Sequence, residues 1–166
     1  MVKLPEMELF KDELVHFSLS LIIGVVLGEI FGSPLLIPFC LLFGFFIDAD
    51  HLTDYFYCFF RLDKETRNKN LFNIIFHFKH FFTPKFYVLQ SRKVIVPLHG
   101  WEYIPIFWFL LRSLGNILGI DGLEWVVIAY IAHLSWDQHT GAGTWRSYFF
   151  IHRLKNRFSY EAYEKN

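Results

Sequence analysis

The chain has 166 residues, with 16 Lys and Arg balanced by 16 Asp and Glu, and 54% of it is apolar. With 21 phenylalanines it is too aromatic to be disordered. The lack of net positive charge argues against a nucleic-acid partner, and two cysteines, Cys40 and Cys58, do not make a disulfide scaffold. Counted with its ten glycines, the apolar set reaches about 60%, against about 45–50% in soluble domains, and charged residues are only 19%. The length fits one domain, and the surplus of apolar area points to a membrane.

Four apolar runs follow in chain order, at about residues 14–31, 34–51, 94–114 and 117–137. Most approach the ~20 residues a helix needs to cross a hydrocarbon core. The second is short unless it continues through His51 into the aromatic run at 55–60. The first two meet at Phe31-Gly32-Ser33-Pro34, a tight helix–helix connection, and the last two meet between Leu114 and Gly122. Between the pairs lies a polar stretch at 61–70 and then an amphipathic, Phe-rich segment at 71–82, which suits the interface plane or the surface of a bundle. The acidic N-terminus has no cationic leader and no small-residue cleavage site, so no cleaved signal peptide is expected. The fold expected is therefore all-α: a single polytopic membrane domain of about four transmembrane helices plus an interfacial helix.

Basic residues orient it. Fifteen of the 16 Lys and Arg lie before the first run, between the second and third, or after the fourth; only Arg112 lies toward the other side. The positive-inside rule then puts both termini on the cytoplasmic face of the membrane. His16, the Asp48-Ala49-Asp50-His51 segment, His99 with Glu102, and His133 with Asp137 all fall near that same face. Trp101, Tyr103, Trp108, Trp125 and Trp136 suit an aromatic belt and core packing.

His133 and Asp137 are spaced i,i+4, whereas His99 and Glu102, like Asp48 and His51, are i,i+3, so each pair shares a face if its segment is helical. Imidazole and carboxylate suit zinc, manganese or iron, and each pair offers two ligands or one ligand with its orienting partner. Ionisable groups in membrane segments are expensive and mark functional sites. The bland readings are buried hydrogen bonds for the His–carboxylate pairs, a solvated helix end at 48–51, and a capping role for His16. His77, His80 and His152 read as interfacial or solvated, His139 is ambiguous, and Glu29 reads as reaching water at the far side.

A His in the first helix, Asp-x-Asp-His closing the second, a His-Gly segment and His-x-x-x-Asp in the last resembles the inner-membrane metal-dependent hydrolase family. That family is described as hydrolases and as LexA-binding, and it is distantly similar to zinc-dependent phospholipase C. The resemblance spans residues 16–140. It departs in the middle motif, where the family has His-Arg-Gly followed by Thr-His-Ser and this chain has His99-Gly100-Trp101-Glu102. It implies His16, Asp48, His51, His99, His133 and Asp137 as metal ligands.

The function expected is hydrolysis assisted by a divalent metal, zinc before manganese or iron, in a bacterial or archaeal cytoplasmic membrane. Asp50 or Glu102 would serve as general base or orient the water. The substrate expected there is a phospholipid or polyprenyl phosphate, with membrane lipids as the partners and no nucleic acid. The alternatives are a non-catalytic membrane protein with a structural or ion-translocating metal site, and a soluble helical domain with an unusually apolar core.

Overall fold

A computed structural model of the chain describes residues 5–61, 92–140 and 143–163. The amphipathic segment expected at 71–82, with His77 and His80, lies outside the described residues. What is described is helical, with no strand beyond an isolated bridge between Lys93 and Ser159.

Helix α1 (Pro5–Phe31) runs through the acidic start and the first apolar run without a break. It ends at Gly32, whose φ of 64° lets the Ser33 N–H turn back to the Gly28 carbonyl at 2.9 Å. Helix α2 (Leu36–Gly44) packs antiparallel on it. Gly24 and Gly28 form a G-x-x-x-G step at the contact: a Cβ on Gly24 would stand 2.8 Å from the Ile37 Cα. Small residues at that spacing let two helix backbones approach closely. Leu27, Leu36 and Cys40 are buried in the seam.

The second apolar run does continue past His51, but not as one straight helix. A 3-10 turn (Phe46–Asp50) follows α2, and α3 (His51–Arg61) follows the turn. The two parts meet at a bend of 44°.

The third run departs from expectation more sharply. Residues 94–102 are loop, and α4 (Tyr103–Leu118) begins only after Pro97 and Gly100 have interrupted the pattern. Proline removes a backbone donor and restricts the residue before it, so a helix could not start earlier without losing bonds. Pro105 is tolerated because it falls in the first turn of α4. His99 and Glu102 therefore do not share a helix face. A 3-10 turn (Leu123–Val126) leads into α5 (Val127–Thr140), and Leu111, Leu123, Val126 and Ala129 join the seam of α1 and α2 as one core. After residue 143 come a 3-10 turn (Trp145–Tyr148) and the short helices α6 (Phe150–Lys155) and α7 (Tyr160–Tyr163).

Among the described residues, one helical segment, Lys11–Phe31, is long and apolar enough to cross a membrane, and the bent pair around Phe45 makes a second if it is one span. Only 28% of the most apolar window of the first is buried inside the protein.

Candidate metal centre

Three parts of the fold converge where α2 ends and α5 nears its last turn. The 3-10 turn supplies Asp48 and Asp50, the loop before α4 supplies His99, and α5 supplies His133 and Asp137. The i,i+4 pair on α5 meets as its spacing requires, with His133 Nε2 at 3.1 Å from Asp137 Oδ2. His99 Nε2 lies 3.1 Å from Asp48 Oδ1 and 3.4 Å from Asp137 Oδ2. His133 Nε2 lies 3.4 Å from the same Asp48 oxygen, and the two Nε2 atoms stand 3.1 Å apart.

The neighbours of these rings decide which nitrogen carries hydrogen. His133 Nδ1 faces the Gly44 carbonyl at 2.8 Å, and a carbonyl only accepts, so Nδ1 donates and Nε2 presents a lone pair. Asp50 straddles His99 Nδ1 with its two oxygens at 2.9 and 3.0 Å, which fixes that ring in the same way. Neutral rings held like this aim two bare nitrogens at each other and at two carboxylate oxygens. Four lone-pair donors converging with nothing positive among them repel, so the arrangement calls for a proton or a cation at its centre.

The size fits a cation. Bonds of about 2.0–2.1 Å, as zinc makes to nitrogen and oxygen, put the edges of a tetrahedron at about 3.3–3.4 Å. The five edges given above run from 3.1 to 3.4 Å. The Asp50–His99 and Gly44–His133 bonds are the outer contacts that metal-binding histidines characteristically make. These buried His and Asp groups can therefore hold a metal ion.

His16 enters differently. Its Nε2 bonds Asp137 Oδ1 at 2.9 Å and its ring lies 4.1 Å from that of His133, but its buried Nδ1 has no partner among the described residues. It lacks the outer acceptor that His99 and His133 both have, and its visible contact is to the second oxygen of Asp137. Asp12, four residues earlier, approaches the same carboxylate and accepts the Trp136 indole N–H at 2.6 Å. His51 stays at the edge: its Nε2 is 3.7 Å from Asp48 Oδ1, beyond hydrogen-bond range, and it is the most exposed of the four histidines at 32%.

The two residues expected to act as base are both engaged. Asp50 also accepts the Leu98 N–H at 2.7 Å, and Glu102 Oε1 accepts the Ile151 N–H at 2.9 Å at the start of α6. His152 bonds Asn156, His139 lies near the Trp136 ring, and Glu29 is exposed at the far end of α1.

Several residues that build the site are not evident from its motifs. Tyr130, one turn before His133, accepts the Gly100 N–H at 3.1 Å and directs its hydroxyl at the Leu98 and Gly100 carbonyls. Asp54 accepts the Ile95 N–H at 2.6 Å, and Arg153 donates to the His99 carbonyl at 2.6 Å. Burial pushes the Arg153 guanidinium below its ordinary range; Tyr163 first, then Asp50, Glu102 and Asp54, oppose that shift. Gly44 must be small, since a Cβ there would meet Ser20 Oγ and crowd Ala129. Among these, local spacing could have pointed to Asp54, four residues after Asp50, and to Tyr130, three before His133, as it could to Asp12, four before His16.

The cluster opens on one edge. The side chains of His133 and His99 are 0% and 4% exposed, whereas those of Asp48 and Asp137 are 16% and 15% exposed. No family model, curated protein or solved structure matches this chain, so any functional reading rests on the chemistry of the site itself.

Proposed function

We propose that this chain is a membrane-bound metal-dependent hydrolase that cleaves an ester or phosphoester of a lipid-like substrate at the cytoplasmic face. In this reading four segments cross the membrane, both termini are cytoplasmic, and the protein is kin to the inner-membrane metal-dependent hydrolases. The observation that carries it is the four-donor set of Asp48, His99, His133 and Asp137, accessible from its carboxylate edge. Membrane insertion is supported by large apolar residues left exposed, among them Ile22, Val26 and Ile30 on α1 and Phe109, Leu110 and Ile117 on α4.

When bound, a divalent cation such as zinc supplies Lewis-acid polarisation and lowers the pKa of water from 15.7 to about 7. The chain's own residues do the rest. Asp48 and Asp137 balance the positive charge, while Asp50 and the Gly44 carbonyl hold the two rings with Nε2 turned inward. His16 orients Asp137. His51, beside Asp48 and open to solvent, is the group best placed to carry a proton in or out.

A structural metal site is the second reading, favoured by the fact that the chain already brings four donors together, the number of a closed zinc site. Protein purified in detergent without chelator is assayed for bound metals, then screened against phospholipids and polyprenyl phosphates. Turnover is expected to vanish with chelator, return with one added metal, and be absent in His133→Ala. Full metal retention with no turnover on any lipid would overturn the enzymatic reading in favour of the structural one.

A further inference from the structure

Helix α6 has two faces with different work to do. At helical spacing Ile151, Leu154 and Lys155 share one side and Arg153 lies on the other. Arg153 is buried against the metal-binding loop, with its guanidinium on the His99 carbonyl. Ile151 and Leu154 point away from the protein, 56% and 53% exposed, and the nearby Trp145 is 57% exposed. Lys155, Arg157 and Arg146 are exposed as well, and the Arg146 guanidinium lies 5.7 Å from the Trp145 ring centre.

Charge on this surface is one-sided. Residues 145–163 expose Arg146, Lys155 and Arg157 against a single carboxylate, Glu161, with Arg153 buried beneath them. That carboxylate is bound to Arg92 at 3.0 Å. Bulky apolar side chains interleaved with cations, including an indole beside a guanidinium, match the headgroup layer of an anionic leaflet. The height is also right. The Tyr148 carbonyl accepts the Trp101 N–H at 3.0 Å, and the α6 backbone binds Glu102, so this surface sits level with the metal loop.

We propose that residues 145–157 are an interfacial anchor for anionic phospholipid. Trp145, Ile151 and Leu154 enter the headgroup layer, Arg146, Lys155 and Arg157 bind its phosphates, and Arg153 transmits the contact to His99. The proposal rests on the membrane reading above and adds a regulatory partner: the charge of the surrounding leaflet sets how firmly His99 is held.

The test uses the full chain, with Cys40 and Cys58 replaced by alanine and a fluorophore on Asn156→Cys. It is reconstituted into nanodiscs of neutral phosphatidylcholine or of phosphatidylcholine with phosphatidylglycerol. Quenching of the label by lipids spin-labelled near the headgroup is expected to be stronger in anionic discs. A cation near such a surface contributes about fivefold to docking, so Arg146→Gln, Lys155→Gln and Arg157→Gln should each weaken the preference by about that factor. Ile151→Ser with Leu154→Ser should remove it. Release of bound metal to a chelator should be slower in anionic than in neutral discs, and the outer-face variants should erase that difference while binding metal normally. Quenching independent of lipid charge, or release rates identical in both discs, would overturn the proposal. Extraction of the wild-type chain from membranes by alkaline carbonate is measured in parallel; if that succeeds, the membrane reading itself has failed.

Discussion

His99 is held at every polar atom but the one turned to the centre. Asp50 takes its Nδ1–H, Arg153 donates to its carbonyl, and its N–H returns to the Val96 carbonyl at 3.2 Å, which leaves Nε2 facing Asp48, His133 and Asp137. The ring has little freedom left, which is what a preorganised ligand requires. Removing an outer contact should therefore weaken the site without dismantling the fold. Asp50→Asn is expected to lower metal affinity by about 10–100-fold, read by competition with a fluorescent chelator, while helical circular dichroism is unchanged. An affinity equal to wild type would show that Asp50 does not orient His99. Gly44→Ala should act through His133. The new methyl would overlap Ser20 Oγ and stand 3.0 Å from the Ala129 Cβ, and over-packing of that kind destabilises by about 1–3 kcal/mol. Chemical denaturation in detergent checks it, and Ser20→Gly should restore part of the loss by opening the space.

At the scale of elements, the loop at 93–102 has no ladder of its own and depends on side chains from three helices. Asp54 of α3 and Asp50 of the turn before it take two of its amides, Tyr130 of α5 binds near Gly100, and Arg153 of α6 closes the far side. Val96 is held within it at φ 24°, a value a β-branched residue adopts only under constraint. Tyr130→Phe keeps the ring, which packs among Ile47, Leu134 and Tyr148, but removes the hydroxyl that the Gly100 amide shares with the Leu98 carbonyl and that binds the two loop carbonyls. Losing a hydrogen bond of this kind costs about 0.5–1.5 kcal/mol. Faster hydrogen exchange is expected in this loop and slower exchange retained in α1 and α2. Exchange that accelerates everywhere would mean that Tyr130 supports the whole core instead.

At the scale of the molecule, the proposed membrane reading puts the exposed apolar faces of α1 and α4 in the bilayer and the metal centre at its cytoplasmic edge. Single cysteines at Ser33 and Asn116, on the Cys40→Ala and Cys58→Ala background, should react with an impermeant reagent from outside intact cells. One at Asn156 should react only after permeabilisation. Equal labelling at all three would remove the proposed topology. Binding of a metal to the folded state alone should also raise stability by about 2.7 kcal/mol at a free concentration a hundred times Kd. Thermal unfolding in detergent is expected to shift down on adding chelator and to recover with metal. The Asp137→Ala protein should show no such shift.

The helical class, the turn between α1 and α2 and the pairing of His133 with Asp137 are all legible in the chain itself. Each depends on contacts within a few residues: an apolar run, a Gly-Ser-Pro break, an i,i+4 spacing. The continuation past His51 was also foreshadowed by the aromatic run at 55–60. Local pattern was misleading at 94–102, where a continuous apolar stretch reads as a span. Pro97 and Gly100 instead leave its amides to partners more than 25 residues away in sequence, such as Asp54 and Tyr130. Only the tertiary structure separated His99 and His133, which turn Nε2 inward, from Asp50, which holds the His99 ring, and His16, which bonds the outer oxygen of Asp137. Spacing can show that a histidine and a carboxylate meet. Which nitrogen faces the centre depends on the acceptor behind the ring, and for His133 that acceptor is a backbone carbonyl 89 residues away, at the end of another helix.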